Sequence, residues 1–312
     1  MSKEEQINEL QEILKEDSEN YRARRELALI LLDYGYPKEA VQHILYLLSK
    51  IPEDEELYYN LGIAYEKLKL FEDAKDAYIK AVNLSDNNID ALYNLGLVYF
   101  ELKDYENSID CFNKVIETDS EDSNSYFNLG LCYFKTEKYD EALENFQKTI
   151  AINDEDIYAH FYAGNIYFQR DNLDFAKDEF NRVIELSPDY SWAYYNLACI
   201  AYREEDYQEV SDCLDKTLEL NPKDESAYIN YAKFLTKMEM YSEAKTIMDE
   251  AVQNCQNAGQ LSYYAAQIAK AEGNSEDYVK YLNNAITNKD TLSMDIYKVM
   301  AELEKFKDSN AV

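Results

Sequence analysis

At intervals of 34 residues this chain places a small residue in one recurring position: Ala28, Gly62, Gly96, Gly130, Gly164, Ala198, Ala232 and Ala266. Self-similarity this strict, without an insertion, confines a chain to architectures that stack one supersecondary unit on the next. The units begin at Tyr21, Glu55, Ile89, Ser123, Ile157, Ser191, Glu225 and Gly259, so the small residue stands in slot eight of each. Slot twenty holds Ala40, Ala74, Ala142, Ala176 and Ala244, with Ser108, Val210 and Tyr278 as exceptions. Slot 24 holds Ile44, Tyr78, Phe112, Phe146, Phe180, Leu214, Met248 and Leu282, and slot 32 holds Pro52, Pro188 and Pro222.

Apolar residues at three- and four-residue spacing make each half of a unit an amphipathic helix. Small residues at slots eight and twenty let two antiparallel helices approach closely, and large ones at slots four, seven, eleven and 24 fill the space beside them. No unit can bury its face alone, so neighbours must share one core. Seven Gly and four Pro in 312 residues leave few places for hairpins. Asp, Asn and Ser in "SDNN", "DSEDS", "SPDY" and "NPKD" stand where they can cap the first helix that follows.

These patterns predict eight units, 21–54, 55–88, 89–122, 123–156, 157–190, 191–224, 225–258 and 259–292. Residues 1–20 put Ile7, Leu10, Ile13 and Leu14 on one face, a capping helix over the first unit. Residues 293–306 put Ile296, Val299, Met300 and Leu303 on one face, with Asp295, Lys298 and Glu302 outside. That predicts a solvating C-terminal helix, followed by a frayed tail, 307–312.

The pattern resembles the tetratricopeptide repeat: aromatic-x-x-Leu-Gly-x-x-Tyr, then Ala-x-x-x-Phe, then Pro. The second unit shows it as Tyr58, Leu61, Gly62, Tyr65, Ala74 and Tyr78; the fifth as Ala163, Gly164, Tyr167, Ala176, Phe180 and Pro188. The resemblance implies an all-α, right-handed α-solenoid of antiparallel helix pairs. It implies that first helices line a concave groove through slots two, five, six, nine, twelve and thirteen. It also implies a non-catalytic adaptor or scaffold that holds an extended or helical segment of another protein in that groove.

In those slots the chain has a pattern of its own. Slot six carries Asn60, Asn94, Asn128, Asn196 and Asn230. A column of carboxamides can pair with the N–H and C=O groups of a bound segment, or can simply be solvated. Slot five carries Tyr59, Tyr93 and Phe127 in the second to fourth units, and slot twelve carries Phe100 and Phe134 in the third and fourth. Slot nine is apolar at Leu29, Ile63, Leu97 and Leu131, then becomes Asn165, Cys199, Lys233 and Gln267. The first half of the groove is therefore expected to show an apolar strip edged by amides, open to a partner's apolar and aromatic side chains. The competing occupant is the protein itself, through a terminus or a second copy. A second function stands beside the adaptor, a structural subunit acting through self-association or its outer face.

Sixty-two acids against 31 Lys and Arg give a formal net charge of −31. Such a surface repels nucleic acid and anionic membranes; it serves first to keep the chain in solution, with attraction to basic flanks in a protein partner as the second reading. Five scattered cysteines without a CxxC pair, no apolar leader and no stretch of spanning length point to a cytoplasmic protein. The chain has only two histidines: His160 falls in a packing slot and His43 on the outer side of a second helix. "DNNID" (Asp86 to Asp90) begins like an EF-hand loop, but Ala91 stands where Gly is needed and Leu97 where the bidentate Glu belongs. With no phosphate-cradling glycine loop either, no catalytic, cofactor or metal residues are assigned. The carboxylate clamp found in this family is not expected, because Leu29, Asp90 and Asn94 occupy its other places beside Arg25 and Asn60. Arg22 and Arg25 stand as a small basic mouth at the N-terminal end that could favour an acidic residue in a partner, with ordinary helix charge as the preferred account of them.

Overall fold

The computed structural model of the protein describes residues 3–85 and 88–309. It is all helical. Helix α1 spans Lys3–Glu16, and pairs follow: α2 (Tyr21–Asp33) with α3 (Pro37–Leu48), α4 (Glu55–Lys67) with α5 (Phe71–Leu84). Next come α6 (Ile89–Glu101) with α7 (Tyr105–Thr118), α8 (Ser123–Lys135) with α9 (Tyr139–Ile152), and α10 (Ile157–Gln169) with α11 (Leu173–Leu186). The last pairs are α12 (Ser191–Arg203) with α13 (Tyr207–Leu220), α14 (Glu225–Lys237) with α15 (Tyr241–Asn254), and α16 (Ala258–Glu272) with α17 (Ser275–Thr287). A short 3-10 turn, Lys289–Thr291, leads to α18 (Ile296–Ser309). The helices of each pair run antiparallel. Two compact units divide at Tyr162 and Ala163.

The turn inside every pair is built the same way. Slot fifteen has positive φ in all eight units: glycine at Gly35 and Gly273, but Lys69, Lys103, Glu137, Asp171, Glu205 and Glu239 between them. The next N–H then reaches back to the carbonyl five residues earlier, as in Leu70 to Tyr65 (2.9 Å) and Lys138 to Tyr133 (2.9 Å). This is the Schellman closure, which satisfies an orphan carbonyl at the helix end. First helices mostly begin on side-chain caps: Asn20, Asp54, Asn88, Asp122, Asp156 and Asp224 each accept from a backbone N–H three residues on. Asn88 is thus a cap rather than a metal ligand; Asp86 and Asn87 lie outside the described residues. "SPDY" departs from expectation. Its cap position is Tyr190, which makes no side-chain capping bond.

Both ends of the chain are covered by a lone helix. Leu10 is buried on the cluster that holds Leu27, Leu31 and Ile44, with Ile7, Ile13 and Leu14 packed beside it. At the other end Val299 and Leu303 are buried, but Met300 is 47% exposed. Glu302, expected outside, instead accepts hydrogen bonds from Tyr263 (3.2 Å), Tyr278 (2.7 Å) and Lys270 (2.9 Å). The reason is Tyr278. It replaces the small residue of slot twenty, lies fully buried, sends its hydroxyl to Glu302 and takes Phe306 edge-on at 4.7 Å. Helix α18 runs on to Ser309, so the tail is helical through that residue.

Within each pair, slots eight and 24 face one another. A Cβ placed on Gly62, Gly96, Gly130 or Gly164 would come within 2.5, 2.9, 2.6 and 2.9 Å of the ring of Tyr78, Phe112, Phe146 and Phe180 respectively. Those rings are fully buried and cannot give way. In the other four units the small residue is Ala and its opposite is Ile44, Leu214, Met248 or Leu282, none of them a ring. Each pair therefore holds one of two volume-matched sets. Gly130→Ala should destabilise the protein: overpacking costs about 1–3 kcal/mol, against about 1 kcal/mol gained in helix propensity. Adding Phe146→Leu, which recreates the alanine-type set, should recover most of the loss in urea unfolding. Additive losses in the double variant would disprove the matching.

Candidate functional site

The expected groove residues of the unit ending at Tyr162 sit on the first helices, but much of their capacity is already used. Asn60 is 8% exposed and donates to the Glu56 carbonyl of its own helix (2.8 Å). It is not placed to hold a partner's backbone, because α4 packing has enclosed it. Asn94 and Asn128 are half-buried, and each donates to the slot-five hydroxyl of the preceding repeat: Asn94 to Tyr59 (3.5 Å), Asn128 to Tyr93 (3.0 Å). Asn128 also donates to the Asn124 carbonyl of its own helix (2.9 Å), so both its amide hydrogens are in use and its side-chain carbonyl is the group left to offer. Burial pushes the Tyr59 and Tyr93 hydroxyls upward while the asparagine bonds pull the other way. Both phenols therefore stay protonated at neutral pH.

The slot-five rings lean on the slot-24 rings of their own pairs, Tyr59 on Tyr78 at 6.0 Å, Tyr93 on Phe112 at 5.6 Å and Phe127 on Phe146 at 5.8 Å. Phe100 and Phe134 meet Tyr105 and Tyr139 edge-on. Ile63, Leu97 and Leu131 are half-buried; Ile63 and Leu97 pack partly against core clusters. The strip is thus less open than its composition suggests. Where Tyr162 interrupts the asparagine column, it stacks on Phe146 at 5.3 Å and meets Phe134 at 5.2 Å. Arg25 is no basic mouth either: it pairs with Asp54 and, at 2.7 Å, with Glu56. His160 is buried, its Nε2 3.1 Å from the Asp154 carbonyl.

The unit from Ala163 onward holds what the sequence pattern hides. A cavity of about 500 Å³ opens between α12, α13 and α14, with Phe168, Tyr195, Tyr202 and Phe234 among its walls. Its floor includes Ala198, Val210 and Leu214. Slot 24 is Leu here, where the second to fifth units have a ring, so the space under Tyr195 is not filled. Asn230 borders it, held to the Tyr195 hydroxyl at 2.5 Å, and Asn196 is the other slot-six amide of this unit. Burial raises the Cys199 thiol on this wall, which keeps it protonated. The sequence signal that could have found the cavity is the combination of Ala198, Val210 and Leu214 in the three slots that otherwise close a unit.

If the slot-six amides are primarily ties between repeats, Tyr93→Phe and Asn128→Ala should each cost about 0.5–1.5 kcal/mol. The double variant should cost no more than the worse single one, and additivity in a denaturation cycle would separate the two groups.

Sequence profiles of the tetratricopeptide repeat match residues 53–121, 88–155, 127–191 and 191–224. No curated protein sequence matches the chain. Among solved structures, MamA 41-end from Desulfovibrio magneticus RS-1 is 26% identical, with a TM-score of 0.53 over 55% of this chain and 97% of that one. A MamA RS-1 double mutant matches equally, at 26% identity and 0.53, over 55% and 96%. YrrB, a TPR protein with an unusual peptide-binding site, is 26% identical with a TM-score of 0.51, over 59% of this chain and 95% of that one. The repeat profiles together span residues 53–224, more than half of the sequence, and the chain belongs to the tetratricopeptide repeat family.

Proposed function

We propose that this protein is a non-catalytic adaptor that holds a segment of a partner protein against the first helices of its repeats. Tetratricopeptide repeat proteins are generally non-catalytic interaction modules, and YrrB carries a peptide-binding site on a related scaffold. The observation that carries the reading is exposed aromatic surface at slots two and twelve. Tyr158 is 58%, Trp192 48% and Tyr202 37% exposed, on helices whose other large side chains are mostly covered. Rigid aromatic side chains left in water are the usual anchors of an interface, since they bring large contact area with little entropy to lose. The side-chain carbonyls of Asn94, Asn128 and Asn230 would accept from the backbone of the bound segment. Among the described residues no helix is long and apolar enough to cross a membrane.

A second reading, self-association through the chain's end, is favoured by one feature: on α18, Tyr297 is 75% and Met300 47% exposed side by side. Light scattering across a concentration series separates the two, because assembly through α18 should raise the apparent mass and Tyr297→Glu should abolish the rise.

For the adaptor reading, a pull-down from native lysate should use the wild type beside two variants that keep their helical circular dichroism. One carries Asn94→Ala, Leu97→Glu and Leu131→Glu; the other carries Trp192→Ala and Tyr202→Ala. Partners captured by the wild type should be lost from at least one variant. Retention of the same set by both would remove the first-helix face as the working surface.

A further inference from the structure

The cavity beside α12 and α14 has a charge opposite to that of the chain around it. Acids outnumber bases two to one in the sequence, yet the lining contains Arg203, Lys233 and Lys237 and no Asp or Glu. The three cations are not alike. Arg203 sits over Phe168, its Cζ 4.0 Å from the ring centroid, and is paired with Asp171 at 2.8 Å. It is a wall. Lys237 takes the Tyr202 hydroxyl as its partner and sits 4.8 Å from that ring. Lys233 sits 5.7 Å from the Tyr264 ring and also lines a second cavity of about 300 Å³ beside Gln267 and Ile268.

Several lysines on other helix faces of this unit are matched with carboxylates. Lys177 pairs with Glu204 (2.7 Å) and Glu209 (3.7 Å), and Lys245 with Glu272 (2.7 Å) and Asp277 (2.8 Å). Among the described residues Lys233 and Lys237 have no carboxylate within ion-pair distance; Glu205 acts on Lys237 only through its field. In so acidic a chain, two exposed lysines left without acids at the mouth of an aromatic cavity form a complementary site for negative charge.

Resting on the adaptor reading, we propose that this cavity receives an acidic segment of a partner protein: one apolar or aromatic side chain enters over Leu214 and Phe234, and a carboxylate beside it pairs with Lys233 and Lys237. Screening at physiological ionic strength confines the chain's negative field to about 8 Å, so the lysines at the mouth dominate once the segment has arrived. The arrangement uses slots nine and thirteen rather than the slots of the clamp excluded on sequence.

The chain's one tryptophan reports on the site: Trp192 meets Tyr195, a cavity wall, edge-on at 6.1 Å. Full-length protein is titrated at 0.15 M salt with three fluorescein-labelled peptides, followed by anisotropy, and with their unlabelled forms, followed by Trp192 emission. The first is blocked at both ends, Gly-Glu-Glu-Phe-Glu-Glu-Gly; the second is the same with Gln for every Glu; the third, Gly-Gln-Gln-Phe, keeps a free C-terminal carboxylate. The first should bind at least about tenfold more tightly than the second, and Lys233→Gln with Lys237→Gln should remove that advantage. Binding by the third at the level of the first would assign the carboxylate to a chain end rather than to side chains. Ala198→Gly with Leu214→Phe, which gives this pair the set seen at Gly96 and Phe112 and fills the floor, should weaken the first peptide without touching either lysine.

Equal binding of the Glu and Gln peptides, no binding of any peptide, or indifference to both double variants overturns the proposal. So does a doubling of mass in light scattering that the lysine variant abolishes, since the occupant is then a second copy. If partners are still captured in the pull-down while the peptides fail, only the charge assignment falls and the adaptor reading stands.

Discussion

The contact between slot eight and slot 24 governs how closely the two helices of each pair approach, and much else follows from it. A ring at slot 24 leaves under 3 Å to a Cβ at slot eight, so Tyr78, Phe112, Phe146 and Phe180 all face glycine. That same ring supports the slot-five side chain of its own pair, as Phe112 supports Tyr93 at 5.6 Å. Tyr93 is then held where the next repeat's Asn128 can reach its hydroxyl at 3.0 Å. Glycine, ring, phenol and amide form a chain of dependence that runs from the inside of one pair to the inner face of its neighbour. Close packing transmits it, because a well-filled interior has little slack to absorb a displaced ring.

Substituting alanine and an aliphatic residue keeps the total volume but not its distribution. Leucine ends short of where a ring would lie. With Ala198, Val210 and Leu214 in place, the floor beneath Tyr195 stays open, and a cavity of about 500 Å³ results. One packing rule thus makes both the solid inner face before Tyr162 and the recess after Ala163. A place for a ligand can arise from a core substitution that a stability argument alone would treat as conservative.

The period, the helical class and the volume pattern are legible in the sequence because each is a local or strictly periodic signal. The left-handed turn residue is not. Glycine marks it at Gly35 and Gly273, but Lys69, Lys103, Glu137, Asp171, Glu205 and Glu239 adopt the same backbone without any signature, held there by the closing hydrogen bonds. The bond from Asn128 to Tyr93 spans 35 residues and needs the register of two stacked helices before it can be drawn. Glu302 misleads for a related reason: by helical phase it belongs outside, yet a buried Tyr278 brings a hydroxyl up to it. The apolar strip at Ile63, Leu97 and Leu131 was legible as composition, but its half-burial depends on neighbours that periodicity does not position.

Net charge is the coarsest of these signals, and it points the wrong way locally. A total of −31 repels anionic partners over the surface as a whole, whereas the cavity beside α12 and α14 has two lysines without carboxylates at its mouth. The two facts are compatible because screening makes charge a short-range property. On the proposed reading, an acidic segment meets repulsion over most of the surface and attraction at the recess, so wrong contacts are disfavoured as the right one is favoured. On this account the acidity serves specificity: it turns an acidic ligand away from the rest of the surface and toward the recess.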